Sequence, residues 1–271
     1  MGLVWKIALG IGAAALLLYL AVLAALYWNQ RSFIYPAPAN HSAAATPAER
    51  GAIDVRIATE DGLDLRAIYR PAPPGRPTVI FFHGNGDSLA GSQEATRGIA
   101  SAGYGVLLPE YRGYGGNRGS PSEEGLYRDG RAALRWLASQ GVRPEQTVLI
   151  GNSLGSGVAT EMALQRRVGG LILISGFTSL ADVVGLHLPF VPARWLVKDR
   201  YDNLGKIPKV ACPILILHGT SDTVIPVRLG KELAGAASVA SLELIPDRGH
   251  ELAYARESQA RIVLWLRRTL P

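Results

Sequence analysis

Apolar residues run unbroken by charge from Ile7 to Trp28, "IALGIGAAALLLYLAVLAALYW". At about 1.5 Å of helical rise per residue, that stretch spans a hydrocarbon core roughly 30 Å thick. Tyr27 and Trp28 stand at one end and Trp5 near the other, where an interfacial aromatic belt belongs. A cleaved signal peptide is the rival reading, with Leu23-Ala24-Ala25 as the cleavage region. Signal peptides have a shorter apolar core, so the length favours an uncleaved anchor. We therefore expect residues 1–30 to form one transmembrane helix and 31–51 to be a linker rich in Pro and Ala. That linker contains His41, and its Phe33-Ile34-Tyr35 is apolar enough to dock on the domain that follows. Lys6 on one side and Arg31 on the other give little positive-inside contrast. A short stub before an anchor and a long domain after it is the signal-anchor layout, so the expected site of the domain is outside the cytoplasm.

Beyond residue 52 the period changes. Ala52–Ala58 and Leu63–Tyr69 alternate apolar and polar residues around Asp61-Gly62, a hairpin signal. Short apolar runs follow at Thr78–Phe82, Gly105–Leu108, Thr147–Ile150, Gly170–Ile174, Pro213–Leu217 and Ser241–Ile245. Between and after them lie helical stretches at Leu89–Ala102, Ser122–Ser139, Leu154–Arg167, Leu229–Ala236 and Glu257–Thr269. Near-continuous apolar strands separated by helices predict an α/β domain over 52–271, with a mostly parallel central sheet covered by helices on both faces. The hairpin predicts an antiparallel edge. Residues 177–207 break the rhythm with several prolines, which predicts a short cap insertion.

Composition narrows the function classes. The chain has 271 residues, 48% of them hydrophobic, enough for one large core. The net charge of +6 is spread out with no long basic block, so a nucleic-acid partner is unsupported and anionic lipid fits better. Cys212 is alone and lies in a strand-like run, where it reads as an inert packing residue. No zinc-ligand spacing and no phosphate-loop pattern is present, and the reading implies no metal or organic cofactor. The glycines of "EYRGYGGNRGS" miss the dinucleotide spacing and read as a loop bordering a pocket.

Ligands of such sheets bind beyond the carboxyl ends of the strands, so chemistry is sought there. After Thr147–Ile150 comes Gly151-Asn152-Ser153-Leu154-Gly155, a G-x-S-x-G pattern between a strand and a helix. The pattern places a serine on a sharp turn that only small neighbours permit. The competing reading is Ser153 as a helix N-cap. A serine nucleophile needs a base and an acid behind it, and in this fold class they follow in the order Ser, acid, His. Among the five histidines, His250 in "PDRGH" precedes the last helix and leaves room for an acid upstream. His41, His83, His187 and His218 fit that position less well. Asp222 in "HGTSDTVIP" is the favoured acid. Its rival roles are an Asx turn or a helix cap, and Asp247 and Glu110 are the rival acids. Oxyanion donors are expected from the backbone N–H of Leu154 and of Asn85 in "HGNGD".

These segments, together with "RSFIYPAP", "FFHGNG", "EYRGYG", "GNSLGSG", "DNLGKI" and "CPILILHGTSDTVIP", resemble the membrane-anchored serine hydrolases of the α/β-hydrolase superfamily. That group includes animal single-pass hydrolases and protein depalmitoylases. The resemblance runs from Arg31 to His250 and places nucleophile, acid and base on Ser153, Asp222 and His250, with the oxyanion loop on His83 to Gly86. It implies the α/β-hydrolase fold and cleavage of an ester or thioester through an acyl-enzyme. Two departures touch the pocket rim: Glu110 stands where the family usually has Asp, and "GGNRG" where it usually has a G-x-S-x-G-like segment. The expected substrate is a small-molecule or lipid ester or an acylated protein, and the short cap predicts acceptance of short acyl chains. A peptidase using the same triad and a membrane-tethered, non-catalytic binding protein are the alternatives.

Overall fold

The computed structural model describes residues 2–36 and 48–270. The elements in chain order are α1 (Leu3–Ile34), β1 (Ile53–Ala58), β2 (Asp64–Arg70), β3 (Thr78–Phe82), α2 (Leu89–Ser101), β4 (Gly105–Pro109) and α3 (Glu123–Ser139). Then come β5 (Thr147–Asn152), α4 (Gly155–Gln165), β6 (Gly170–Ile174), α5 (Leu180–His187), α6 (Ala193–Leu196) and α7 (Asn203–Lys206). The chain closes with β7 (Ile214–Gly219), α8 (Val227–Ala236), β8 (Ala240–Ile245) and α9 (Arg256–Thr269). The eight strands form one sheet in the order β1-β2-β4-β3-β5-β6-β7-β8. The β1–β2 and β2–β4 pairs are antiparallel and the rest are parallel. The expected antiparallel edge is therefore the β1–β2 hairpin, whose turn holds Gly62 at φ 85°.

The apolar runs that predict strands are buried on both faces, and the period of two divides them. Ile80, Phe82, Leu149, Leu171 and Ile216 face the layer that includes Leu126, Val158, Met162 and Leu233 of α3, α4 and α8. Val79, Phe81, Val148, Ile172 and Leu217 face Leu89, Ile99, Ile262 and Leu266 of α2 and α9. Such double burial requires helices on both sides of a parallel sheet. Serine caps start three helices: Ser88 on α2, Ser122 on α3 and Ser179 on α5 each accept a hydrogen bond from a first-turn backbone N–H.

The cap segment is built from α5, α6 and α7, with Pro189 and Pro192 interrupting it between α5 and α6. It rests against α1. The helix runs on to Ile34, through the first residues read as linker, because its end makes tertiary bonds. Gln30 donates from Nε2 to the Leu196 carbonyl at 3.2 Å and accepts the Lys198 N–H at 2.8 Å. Arg31 donates Nε and Nη2 to the Asp199 carboxylate at 2.9 and 3.1 Å. The Tyr35 and Tyr201 hydroxyls lie 2.9 Å apart in the core. His41 and the stretch 37–47 lie outside the described residues.

Candidate active site

Ser153 follows β5 at φ 52°, a left-handed conformation that is strained for a residue with a side chain. The turn leaves no room beside it. A Cβ on Gly151 would stand 2.6 Å from Ser156 Cα, and one on Gly155 would collide with the carbonyl of Phe82. The two small residues of the G-x-S-x-G pattern are thus required by close backbone approach. The turn is held from the other side by the Ser153 N–H, which donates to the Ile174 carbonyl of β6 at 2.9 Å. The N-cap reading of Ser153 fails: α4 has Leu154 at its cap position with no side-chain cap bond.

The Ser153 hydroxyl lies 2.9 Å from His250 Nε2, and His250 Nδ1 lies 2.9 Å from Asp222 Oδ2. A carboxylate can only accept, so Nδ1 carries the proton and Nε2 is left to accept from the serine. Three strand ends supply these groups: β5 the serine, β7 the acid and β8 the histidine. Asp222 also has the turn role weighed against it. Its Oδ1 accepts the N–H groups of Val224 at 3.0 Å and Ile225 at 2.8 Å, which fixes Oδ2 toward His250. Burial alone would raise this carboxyl. The bond from His250 and the backbone N–H of Ile225 outweigh burial, and its pKa lies below the ordinary carboxylate value.

The other candidates fall elsewhere. Asp247 is exposed, in a left-handed turn with its N–H on Thr220 Oγ1. His187 ends α5 and bonds the Val224 carbonyl at 2.8 Å, so the cap touches the loop that carries Asp222. His218 is buried under that loop. It donates from Nε2 to the Ile225 carbonyl at 2.8 Å and lies 3.7 Å from Asp222. Burial lowers its pKa, against the pull of Ile225 and Asp222, and keeps the ring neutral. Cys212 is buried, and burial pushes its thiol up to about 11.

Glu110 is not an acid for His250. It is buried against His83, whose Nε2 lies 2.9 Å from Glu110 Oε1 and whose Nδ1 lies 2.8 Å from the Gly84 carbonyl. The Gly84 carbonyl can only accept, so Nδ1 carries a proton, and a second proton on Nε2 lets the ring donate to Glu110 as well. Burial would lower the His83 pKa, but the Glu110 charge and hydrogen bond raise it above the ordinary value. Glu110 Oε2 also accepts the Leu89 N–H at 3.2 Å, which ties the start of α2 to the same carboxylate. This pair positions the "HGNG" loop against the serine turn: a Cβ on Gly84 would stand 3.3 Å from Ser153 Cβ. Tyr114 fixes the loop from outside by donating to Asn85 Oδ1 at 3.0 Å. Among the described residues, the backbone N–H groups of Asn85 and Leu154 have no acceptor. The pairing of His83 with Glu110 was missed in the sequence. Its signal was a histidine and a glutamate each just past the end of an adjacent buried strand.

Comparison with known proteins agrees with this architecture. The family model for the alpha/beta hydrolase fold matches residues 77–202. An uncharacterized protein of Mycobacterium tuberculosis is 38% identical over 250 residues, 90% of this chain and 88% of that one. Protein bem46 of Schizosaccharomyces pombe is 31% identical over 232 residues, 79% of this chain and 77% of its own. Lysophosphatidylserine lipase ABHD12 of Danio rerio is 33% identical over 183 residues, 60% of this chain but about half, 47%, of that protein. Among solved structures, the esterase Pf2001 of Pyrococcus furiosus superposes with a TM-score of 0.67 at 20% identity, covering 81% of this chain and 91% of that one. The chain belongs to the α/β-hydrolase fold family, whose relatives and structural neighbours include esterases and a lipase.

Proposed function

We propose that the protein is a membrane-anchored serine hydrolase that cleaves an ester or thioester through an acyl-enzyme. The observation that carries this reading is the continuous bond path from Ser153 Oγ through His250 to Asp222. Ser153 Oγ attacks the carbonyl carbon as His250 Nε2 takes its proton. The resulting imidazolium is stabilised by Asp222 Oδ2. Negative charge develops on the former carbonyl oxygen, and the unpaired N–H groups of Asn85 and Leu154 are its donors. Collapse expels the alcohol or thiol, which takes the proton from His250. Water then attacks the acyl-enzyme by the same path, with His250 again the base, and regenerates Ser153. A lipid ester or acylated protein as natural substrate is supported by the likeness to a lysophosphatidylserine lipase and by α1, which is long and apolar enough to cross a membrane. In this reading α1 is a single-pass anchor and the domain lies outside the cytoplasm.

The test treats the full-length protein in detergent with a fluorophosphonate, which Ser153 Oγ phosphonylates with loss of fluoride. Wild type should label and should hydrolyse short p-nitrophenyl esters. Ser153→Ala and His250→Ala should abolish labelling and cut turnover by about 10⁴-fold or more. Unchanged turnover in Ser153→Ala would remove the serine from the reaction.

A further inference from the structure

His218 is the next-to-last residue of β7 and is fully buried. The sheet fixes its position, in register with Leu244 of β8. Its ring has one hydrogen-bond partner. Nε2 donates to the Ile225 carbonyl at 2.8 Å, which leaves Nδ1 as an acceptor, and among the described residues no donor reaches it. Nδ1 faces α8, whose backbone comes so close that a Cβ on Gly230 would collide with the ring. An unpartnered acceptor in so dry a place opposes folding, and an apolar side chain there would avoid that cost. What the ring supplies that an apolar side chain could not is the Nε2–H.

That donor acts on the turn that carries the acid. Past Gly219 the chain leaves the strand and turns through Asp222 to Ile225 before α8 begins. Asp222 Oδ1 is held by the N–H groups of Val224 and Ile225, so the direction of Oδ2 depends on where these two peptides lie. Each of the two residues also has its carbonyl taken by a histidine. His187 of the cap reaches the Val224 carbonyl at 2.8 Å, and His218 reaches the Ile225 carbonyl from inside the domain. Water can replace the first bond, because His187 and Val224 are exposed. Water does not reach the second, because His218 and Ile225 are buried. Ile225 is thus gripped at both ends, its N–H by Asp222 and its carbonyl by His218. His218 Nε2 stands 3.7 Å from Asp222 Oδ2, beyond hydrogen-bond reach, so its hold on the acid runs through Ile225. Burial keeps the ring neutral, and a neutral ring does not compete with His250 for the carboxylate charge. We propose that His218 is a positioning residue of the triad: through Ile225 it ties the 222–225 turn to β7 and holds Asp222 Oδ2 on His250 Nδ1. The inference deepens the serine-hydrolase reading and rests on it. A carboxylate tied to a strand keeps the imidazole aligned better than one carried by a free loop.

The full chain in detergent is assayed for p-nitrophenyl ester turnover and for its rate of fluorophosphonate labelling. His218→Leu removes the donor, while His218→Gln can bring an amide N–H to the Ile225 carbonyl. Both are checked for folding by circular dichroism and a cooperative melt, and His218→Met replaces the Leu variant if that one fails to fold. In His218→Leu, kcat should fall by roughly 10- to 100-fold with KM unchanged, as when a catalytic group is misplaced by about 1 Å or less. His218→Gln should recover most of that loss. The second readout is a double-mutant cycle with Asp222→Ala. Once the acid is gone, His218→Leu should slow turnover and labelling no further. A ring that only props the fold would cost the same factor with or without Asp222, and that result would overturn the proposal. A folded His218→Leu with wild-type kcat, or a loss carried by KM alone, would also overturn it. A wild type that neither labels nor turns over would remove the serine-hydrolase reading and this inference with it.

Discussion

At the scale of single residues, the candidate site holds two imidazole–carboxylate pairs, His250 with Asp222 and His83 with Glu110. Ser153, Asp222 and His250 stand at strand ends that the apolar runs mark, so chain order alone could bring them together. The pairing of His83 with Glu110 crosses from β3 to β4, and nothing local shows which carboxylate meets which ring. That buried pair has a signature in pH. The His83 pKa is raised in the folded state, so its contribution to stability is fully present below about pH 6.5, the ordinary histidine value, and is lost as pH rises through the folded value. Glu110→Gln keeps an acceptor for the ring but removes the charge that holds the second proton. We expect the variant to be less stable by about 2 kcal/mol at pH 6, the cost of a charge-assisted bond replaced by a neutral one. The difference from wild type should shrink between pH 6 and pH 9. Urea unfolding of both proteins at the two pH values measures it. A stability gap that is constant with pH would show that His83 is neutral in the native protein.

At the scale of elements, the strands and long helices were readable because each is apolar at its own period. The end of α1 was harder. Asn29, Gln30, Arg31 and Ser32 look like the polar start of a linker. Yet Tyr27, Gln30, Arg31 and Ile34 fall on one helical face, and three of these side chains meet the cap through bonds or ring contacts. Those partners lie more than 160 residues away, which is why the helix does not stop where its hydrophobicity does. The Arg31–Asp199 pair tests this junction. Asp199 is buried, with 5% of its side chain exposed, while Arg31 is 53% exposed. Solvent therefore screens half of the pair, and Asp199 keeps its bond from the Glu123 N–H at 3.2 Å. Arg31→Ala should cost about 1 kcal/mol and lower the melting temperature of the detergent-solubilised protein by roughly 2 °C. Arg31→Lys should recover part of that loss. A melting temperature unmoved by Arg31→Ala would mean that α1 and the cap do not hold each other through this pair.

At the scale of the molecule, an apolar helix, a basic hydrolase domain and a cap between them make two separable claims about membranes. One is insertion of α1. The other is attraction of a chain with net charge +6 to anionic lipid. Each claim has its own feature in the sequence, because a basic surface and an apolar helix can each bring a protein to a membrane. Their physics differs in salt. Exposed charges are screened within about 3 Å at 1 M ionic strength, whereas an inserted span of some twenty apolar residues is held by hydrocarbon burial and is effectively irreversible. The full chain should stay in the membrane pellet through 1 M NaCl and through alkaline carbonate. A chain beginning at Tyr35 keeps the Tyr35–Tyr201 bond and every triad residue, and it should leave the pellet in high salt. It should also self-associate as its concentration rises, because removing α1 uncovers Val184, Leu188, Val191 and Val197 together. Sedimentation of both chains after each wash, with fluorophosphonate labelling to follow the folded domain, decides the matter. Release of the full chain by salt alone would make charge the membrane contact and α1 a helix that packs on the cap without spanning.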